Sequence, residues 1–406
     1  MRLRLTFLFL FGLLLSFFDA SALEDFSEEK FSVSRKIKHK KIEGNSLGKI
    51  LPEEIWIKII SFLNTQDKYS LSQTCRFFNR LSKDHSLWKD LFKLENKHLT
   101  KLKETPFPLF KVEVLNKPTP ITLVSLQKIS YLRNLQALHL KSLEELDLET
   151  LGSITSSLTC LTDLRVRSPQ LDNAALLFIS SNNNLRILHF QSAKLSENSS
   201  SIFQKLTALQ DLSLWKTQGI PFGALTYLTN LTSLDIPRVN MVDGDLEFCS
   251  HLTKLTDLRL AGNNVSDLSF VHLTCLKKLK ILHLGSTHIS EEGLKQALPS
   301  FPDLEELSLI NISLKNAENP IDFLMFINLV ILDLSSAHVT NSHLKTLGRL
   351  KQLDLYDVPL DNNSLEIIKG LTTLSYLSLS RGVNEDAVQD LAQALPNLKQ
   401  IFYPHP

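Results

Sequence analysis

Along most of the chain, leucines recur in one short pattern, Leu-x-x-Leu-x-Leu or a close aliphatic variant. Copies begin at Leu135, Leu161, Leu185, Leu209, Leu231, Leu255, Leu279, Leu304, Leu329, Leu350 and Leu374, with a degraded copy at Leu398; successive starts lie 21 to 26 residues apart. The x-Leu-x-Leu portion alternates with period two, which predicts a short strand with one buried face. Between copies, segments such as GLKQALPSFP and HLKTLGRL space their leucines three or four apart and predict short helices or looser turns. One unit cannot bury both leucine rows, so neighbours must stack. The expected fold is therefore α/β: a curved solenoid over residues 135–406, with a parallel sheet on the concave side and short helices on the convex side. LEELDL at Leu143 fits the template but lies too close to the next copy, and reads as convex-side helix. LFKVEV at Leu109, one period ahead of Leu135, is a candidate worn first strand.

Residues 48–92 carry a different period. Pro52 suits a first helical turn, with Glu53 and Glu54 near its positive end. Ile55, Ile59, Ile60, Phe62 and Leu63 follow at helical spacing, and a turn at 64–67 separates them from a second helix bearing Tyr69, Leu71, Cys75, Phe77 and Phe78. A third helix carries Leu87, Trp88, Leu91 and Phe92. So small a unit has a marginal core and gains stability by docking on the repeats or on a partner. Residues 93–134 read as a connector with a candidate capping repeat.

The first 22 residues are apolar in a third way. Arg2 and Arg4 precede an apolar run from Leu5 to Phe18, and Ala20-Ser21-Ala22 has the small-x-small form of a cleavage site. This matches a secretory signal peptide or, if uncleaved, a hydrophobic anchor whose membrane contact is confined to residues 5–18. Export or secretion is then expected, and a cytoplasmic location otherwise. Residues 23–47 form a basic linker with Arg35, Lys36, Lys38, Lys40 and Lys41.

Composition narrows the functions. With 44 basic against 43 acidic side chains, the chain lacks the basic surplus that nucleic-acid binding requires. Its four cysteines, at 75, 160, 249 and 275, are too few and too scattered for a disulfide scaffold. His139, His189 and His283 share a strand position but are too far apart to hold one metal. No phosphate-cradling loop or nucleophile–base motif occurs. No catalytic residue, metal or cofactor is expected.

What remains is a surface. Outward-facing positions of the repeats are basic early, at Lys141, Arg165, Arg167, Lys216, Arg238 and Arg259, and acidic late, at Glu306, Asp333, Asp354 and Asp357. Trp215 and Tyr356 add large side chains of the kind that dominate binding interfaces. Arg165, Arg167, Trp215, Arg238, Arg259, Asp333, Asp354 and Tyr356 are the candidate target-binding residues.

The repeat pattern resembles the leucine-rich repeat family, although the asparagine usual at the ninth position is kept only as Asn263, with Thr217 and Thr287 as partial substitutes. The segment before the repeats resembles an F-box. Leu51, Pro52, Glu53, Ile55, Ile59, Phe62, Leu63, Leu71, Ser72, Cys75, Arg76, Phe77, Leu81, Ser82 and Trp88 fall in register with that family, whereas Lys68-Tyr69 depart from it. The F-box resemblance implies a Skp-type adaptor bound through Leu51, Pro52, Ile55, Ile59, Leu63, Leu71 and Trp88, linking the chain to a cullin and a RING subunit. It implies a non-catalytic substrate receptor of an SCF-type ubiquitin ligase whose repeats hold a target protein. Proteins of this type include effectors of bacteria living inside eukaryotic cells, which would reconcile an export signal with a cytosolic partner. The alternative is a secreted or surface repeat module with no ubiquitin role.

Overall fold

The computed structural model describes residues 53–61, 68, 76–81, 84, 92–94, 111–115, 127–141, 148–167, 179–180 and 182–403. Among these, fourteen strands form one parallel sheet in strict sequence order. They are β1 (Phe92–Leu94), β2 (Lys111–Leu115), β3 (Ala137–Lys141), β4 (Asp163–Arg167), β5 (Ile187–Gln191), β6 (Asp211–Trp215), β7 (Ser233–Asp235), β8 (Asp257–Arg259), β9 (Ile281–His283), β10 (Glu306–Ser308), β11 (Ile331–Asp333), β12 (Gln352–Asp354), β13 (Tyr376–Ser378) and β14 (Gln400–Phe402). Strand order alone identifies a solenoid, because each strand meets the next only after a full turn of chain has returned along the opposite side.

The leucine pattern explains the packing. In β8, Leu258 is buried between the half-buried Asp257 and Arg259, and Leu260 follows it into the core. Leu255, at the first position, is buried as well. Burying one such side chain contributes about 1.5–3 kcal/mol, and the same three positions repeat from unit to unit. The opposite side is built from short helices and 3-10 segments such as Phe222–Tyr227 and Asp243–His251. The helices are α1 (Glu53–Ser61), α2 (Arg76–Leu81), α3 (Leu148–Ser157), α4 (Ser200–Phe203), α5 (Phe270–Leu273), α6 (Glu291–Ala297), α7 (Asn341–Leu344), α8 (Asn362–Lys369) and α9 (Glu385–Ala394).

Two features of the turns are not expected from the leucine pattern. The eighth position of successive repeats sits in the left-handed region: Ser192, Lys216, Arg238, Gly262, Ser286, Asn311, Ser336 and Asp357 have φ between 53° and 71°. Their N–H groups extend the ladder past the strands, as where Arg238 N–H donates to Ala261 O at 3.0 Å and Gly262 N–H to Gly285 O at 2.8 Å. The chain then leaves the sheet. Further round, acids cross-link neighbouring repeats. Asp243 accepts from Ser266 N–H and Oγ at 2.6 and 2.7 Å, and Asp267 accepts from Ser290 N–H and Oγ at 2.8 and 2.6 Å.

The sheet also begins earlier than the repeats counted from Leu135. β2 overlaps the LFKVEV segment and pairs with β3, Val112 opposite Leu138. β1 pairs with β2, Phe92 opposite Val112. Phe92, expected at the end of a third helix, is therefore in a strand. Pairing with β2 decides its conformation, and a single apolar residue at a segment's end carries no period of its own.

Of the residues before the sheet, α1 and α2 pack together through buried Trp56, Ile60, Phe78 and Leu81. Trp56 and Phe78 meet edge to face with ring centroids 5.5 Å apart. Arg80 pairs with Glu53 across the two helices. Among the described residues, no helix is long and apolar enough to cross a membrane.

Candidate functional site: the concave sheet face and the helices before it

Parallel pairing sets the fifth-position side chains in one row across the concave face. The row runs His139, Arg165, His189, Ser213, Asp235, Arg259, His283, Ser308, Asp333, Asp354 and Ser378, each opposite the next. Third-position residues form a parallel row, from Ala137 and Asp163 through Glu306 and Ile331 to Tyr376 and Gln400.

The two rows interact, and this alters the charge expected of the early repeats. Arg165 Nε donates to Asp163 Oδ1 at 3.0 Å and its Nη2 to Oδ2 at 3.2 Å. Arg259 makes the same fork with Asp257, at 2.9 and 3.1 Å. His139 reaches Asp163 at 3.3 Å, His189 reaches Asp211 at 3.0 Å and His283 reaches Glu306 at 2.7 Å. Burial would raise the Asp163 carboxyl, but hydrogen bonds from His139 and Arg165 outweigh it and hold it below the ordinary carboxylate range. Of the basic residues expected on this face, Arg165 and Arg259 are thus each paired with a third-position acid. A two-residue spacing on a strand points both side chains to the same side, so the partners were present in the sequence but joined only by register.

The remaining candidates fall into distinct settings. Arg167 is exposed at the end of β4. Trp215 is half-buried, with Lys216 Nζ 4.5 Å from its ring centroid. Arg238 is exposed in the left-handed turn, and its side chain lies across Gly262, where an added methyl would come 2.7 Å from Arg238 Cγ. Asp333 and Asp354 stand opposite one another on β11 and β12, and Tyr356 lies just beyond β12, 37% exposed.

Asn263 fulfils the turn role expected of it. Its Oδ1 accepts from Val239 and Met241 N–H at 2.9 and 3.2 Å, and its Nδ2 donates to Ile236 O and Leu260 O at 2.8 Å each. Thr287 replaces one of these bonds, its Oγ1 donating to Leu284 O at 2.6 Å; the buried Thr217 hydroxyl does not make the equivalent contact.

Of the expected adaptor-binding residues, Leu51, Pro52, Leu63, Leu71 and Trp88 lie outside the described residues. Ile55 and Ile59 lie within α1, but their side chains lie outside the described set. Among the cysteines, Cys249 is buried and its thiol is pushed upward by burial, while Cys160 and Cys275 are exposed. Among the described residues, no group of three or more His, Cys, Asp or Glu side chains is placed to hold a metal ion.

Residues 49–94 match the F-box-like family model. The described chain also superposes on yeast Rad7, solved in complex with Elc1, with a TM-score of 0.52 at 17% identity, covering 93% of this chain and 92% of that one. Residues 49–94 are thus F-box-like, and the sheet that follows has the fold of a leucine-rich repeat solenoid. An internalin from Listeria monocytogenes gives a TM-score of 0.48 at 21% identity over 71% of this chain and 91% of its own. A leucine-rich repeat protein from Leptospira interrogans gives 0.43 at 19% identity over 78% and 92%. No curated protein matches the sequence. The F-box-like match runs to residue 94 and so includes β1, the first strand of the sheet.

Proposed function

We propose that this protein is a non-catalytic substrate receptor of an SCF-type ubiquitin ligase. Its F-box-like segment, taken as residues 48–92, binds a Skp-type adaptor through Leu51, Pro52, Ile55, Ile59, Leu63, Leu71 and Trp88, and through it a cullin and a RING subunit. The repeats over 135–406, preceded by the connector and capping strands of 93–134, hold the target. The observation that carries this reading is the F-box-like match at 49–94 running directly into a single solenoid sheet. The fold shared with Rad7, a protein solved bound to Elc1, supports a two-part receptor architecture.

Such a receptor works by proximity. Holding a target beside a charged ubiquitin carrier raises the local concentration of its lysines without any bond chemistry in the receptor. No cofactor is needed.

The N-terminal 22 residues add a condition. A signal peptide directs a chain away from the cytosol, where the ubiquitin machinery works, and a protein exported from a bacterium into a host cell satisfies both. That leader is also what favours the second reading, a secreted or surface repeat module whose helical segment serves only as a cap.

Co-elution with a recombinant Skp-type adaptor separates the two. The parent chain should co-elute, and the Leu51→Ala/Pro52→Ala variant, folded by circular dichroism, should not. A parent chain that fails to co-elute, or a variant that co-elutes equally well, overturns the receptor reading.

A further inference from the structure

Three exposed cations gather at one edge of the concave face, where the early strands end. Arg167 closes β4, and the seventh-position row runs from it to Gln191 on β5 and Trp215 on β6, each opposite the next. Lys216 follows Trp215 at the eighth position, and Arg238 takes that position one repeat on. From β4 to β7 is three strand spacings, roughly 14 Å, the length of about four extended residues. Among the described residues, none of these three cations forms an ion pair or a side-chain hydrogen bond, whereas Arg165 and Arg259 each hold an acid of their own strand. The acids of the adjoining strands are engaged as well, Asp211 with His189 and Asp235 with Ser213 Oγ.

The edge is held in place before any partner arrives. Lys216 and Arg238 have left-handed φ of 53° and 55°, and their N–H groups donate to Pro237 O at 3.1 Å and Ala261 O at 3.0 Å. Lys216 Nζ stands 4.5 Å from the Trp215 ring centroid. Arg238 lies across Gly262, and the missing side chain makes the room, since a methyl there would come 2.7 Å from Arg238 Cγ. Cations already packed in this way lose less rotamer freedom on binding than free ones. Trp215 itself is half-buried, and its indole N–H has no acceptor among the described residues. A ring face and an unused donor thus stand among cations that lack counter-charges.

We infer that Arg167, Trp215, Lys216 and Arg238 form the seat for an acidic, extended segment of the target protein. Carboxylates or phosphorylated side chains of that segment supply the counter-charge, and the arginine forks take either one bidentately. A backbone carbonyl of the segment accepts from the indole N–H, and a neighbouring side chain packs on the ring. A basic segment is repelled. A nucleic-acid strand is disfavoured, because among the described residues this edge presents one aromatic side chain rather than a succession of stacking platforms. This inference rests on the reading that the concave face holds the target.

The test uses fluorescein-labelled peptides of equal length, with glutamate, phosphoserine, glutamine or lysine at alternate positions, and a labelled oligouridine, each titrated by anisotropy against the full chain. The glutamate or phosphoserine peptide should bind, and the tighter of the two identifies the source of the anion; the glutamine and lysine peptides should not bind. Lys216→Ser/Arg238→Ser should weaken binding by about tenfold or more. Serine is chosen because it already occupies the eighth position, with left-handed φ, at Ser192, Ser286 and Ser336. Arg167→Ala, at an exposed strand end, should weaken binding several-fold and serves as the second variant should the double substitution unfold. Lys277→Ala/Lys278→Ala, which removes two exposed charges elsewhere on the chain, should leave it unchanged. Equal binding of the glutamine peptide, unchanged affinity in the folded Lys216/Arg238 variant or in Arg167→Ala, an equal loss in the Lys277/Lys278 variant, or no binding of either acidic peptide overturns the inference. So does oligouridine bound more tightly than both acidic peptides and lost in the same variants. Adaptor co-elution is measured on the same samples. If it persists while the peptides fail, the seat fails and the receptor reading stands; if the parent chain does not bind the adaptor, the receptor reading fails whatever the peptides do.

Discussion

Asn263 and the eighth-position residues show how differently single side chains carry the same turn. Asn263 bonds four backbone groups from within the core, so Asn263→Ala strands two N–H groups and two carbonyls together. At about 1–3 kcal/mol for each unsatisfied group, partly relieved by water, the loss should be about 3 kcal/mol or more in chemical denaturation. Ser192 instead holds a left-handed φ of 62° with nothing but its backbone to justify it. A non-glycine residue there costs about 1–2 kcal/mol, against the roughly 0.5–1 kcal/mol of chain entropy that glycine forfeits. Ser192→Gly should therefore stabilise by about 0.5 kcal/mol. Gly262→Ala should do the opposite, because φ is 71° and the new methyl would press on Arg238. Denaturation midpoints that move the same way for both variants would contradict this account.

Little of this detail was legible beforehand. The missing asparagines were plain in the sequence, but nothing in the leucine pattern marks the eighth position as left-handed, since serine, lysine, arginine and aspartate all occupy it. The third-position acids were visible too. Their significance was not, because Asp163 and Asp257 neutralise Arg165 and Arg259 only once the strand places them on one face.

At the scale of elements, the convex side is held by acids that reach from one repeat to the next. The most buried of these links joins α6 to α7. Glu291 accepts from His343 Nε2 at 2.9 Å and from the N–H groups of Asn316 and Ile321 at 3.0 and 3.1 Å, with Lys295 Nζ 3.5 Å away. Thr340 N–H donates to His343 Nδ1 at 3.2 Å, which assigns the imidazole proton to Nε2, facing the carboxylate. Burial would raise the Glu291 carboxyl, but these donors outweigh it and the carboxyl lies below its usual value. The sign follows directly. A carboxyl depressed in the folded chain adds stability that is fully present above its unfolded value of about 4.3 and is lost as pH falls through the folded value. Glu291→Gln should cost about 1–3 kcal/mol at neutral pH. It should also flatten the decline in stability below about pH 4.3. A variant whose stability falls with acid as steeply as the parent's would show that Glu291 carries no such linkage.

The strands themselves were largely legible, because a period of two and a strict Leu-x-x-Leu-x-Leu spacing leave few alternatives. β1 was not. Phe92-Lys93-Leu94 is too short to show a period, and it is a strand because β2 lies beside it. Trp56 and Phe78 were likewise not singled out as the contact between α1 and α2, since several apolar residues on each segment competed for that role.

For the whole molecule, the concave face carries Arg165 and Arg259 each paired with an acid of its own strand, the exposed Arg167 and Arg238, and the acids Asp333 and Asp354 side by side. Binding of a charged target on this face should weaken with salt, since exposed charges are screened over about 8 Å at physiological ionic strength. Removing Arg165 and Asp163 together should change that salt dependence little, because the pair is neutral as a whole. Anisotropy titrations at two salt concentrations check this, and a strong response to Arg165→Ala/Asp163→Ala would mean that the fork between them opens in solution.

The central claim is a division of labour: the segment at 49–94 takes the adaptor while the sheet face stays free for a target. Hydrogen exchange followed by mass spectrometry on the full chain, with and without a Skp-type adaptor, tests it most directly. The account predicts added protection confined to residues 49–94, with β4 to β12 exchanging as in the free chain. Protection along β4 to β12, or no change anywhere, would contradict it.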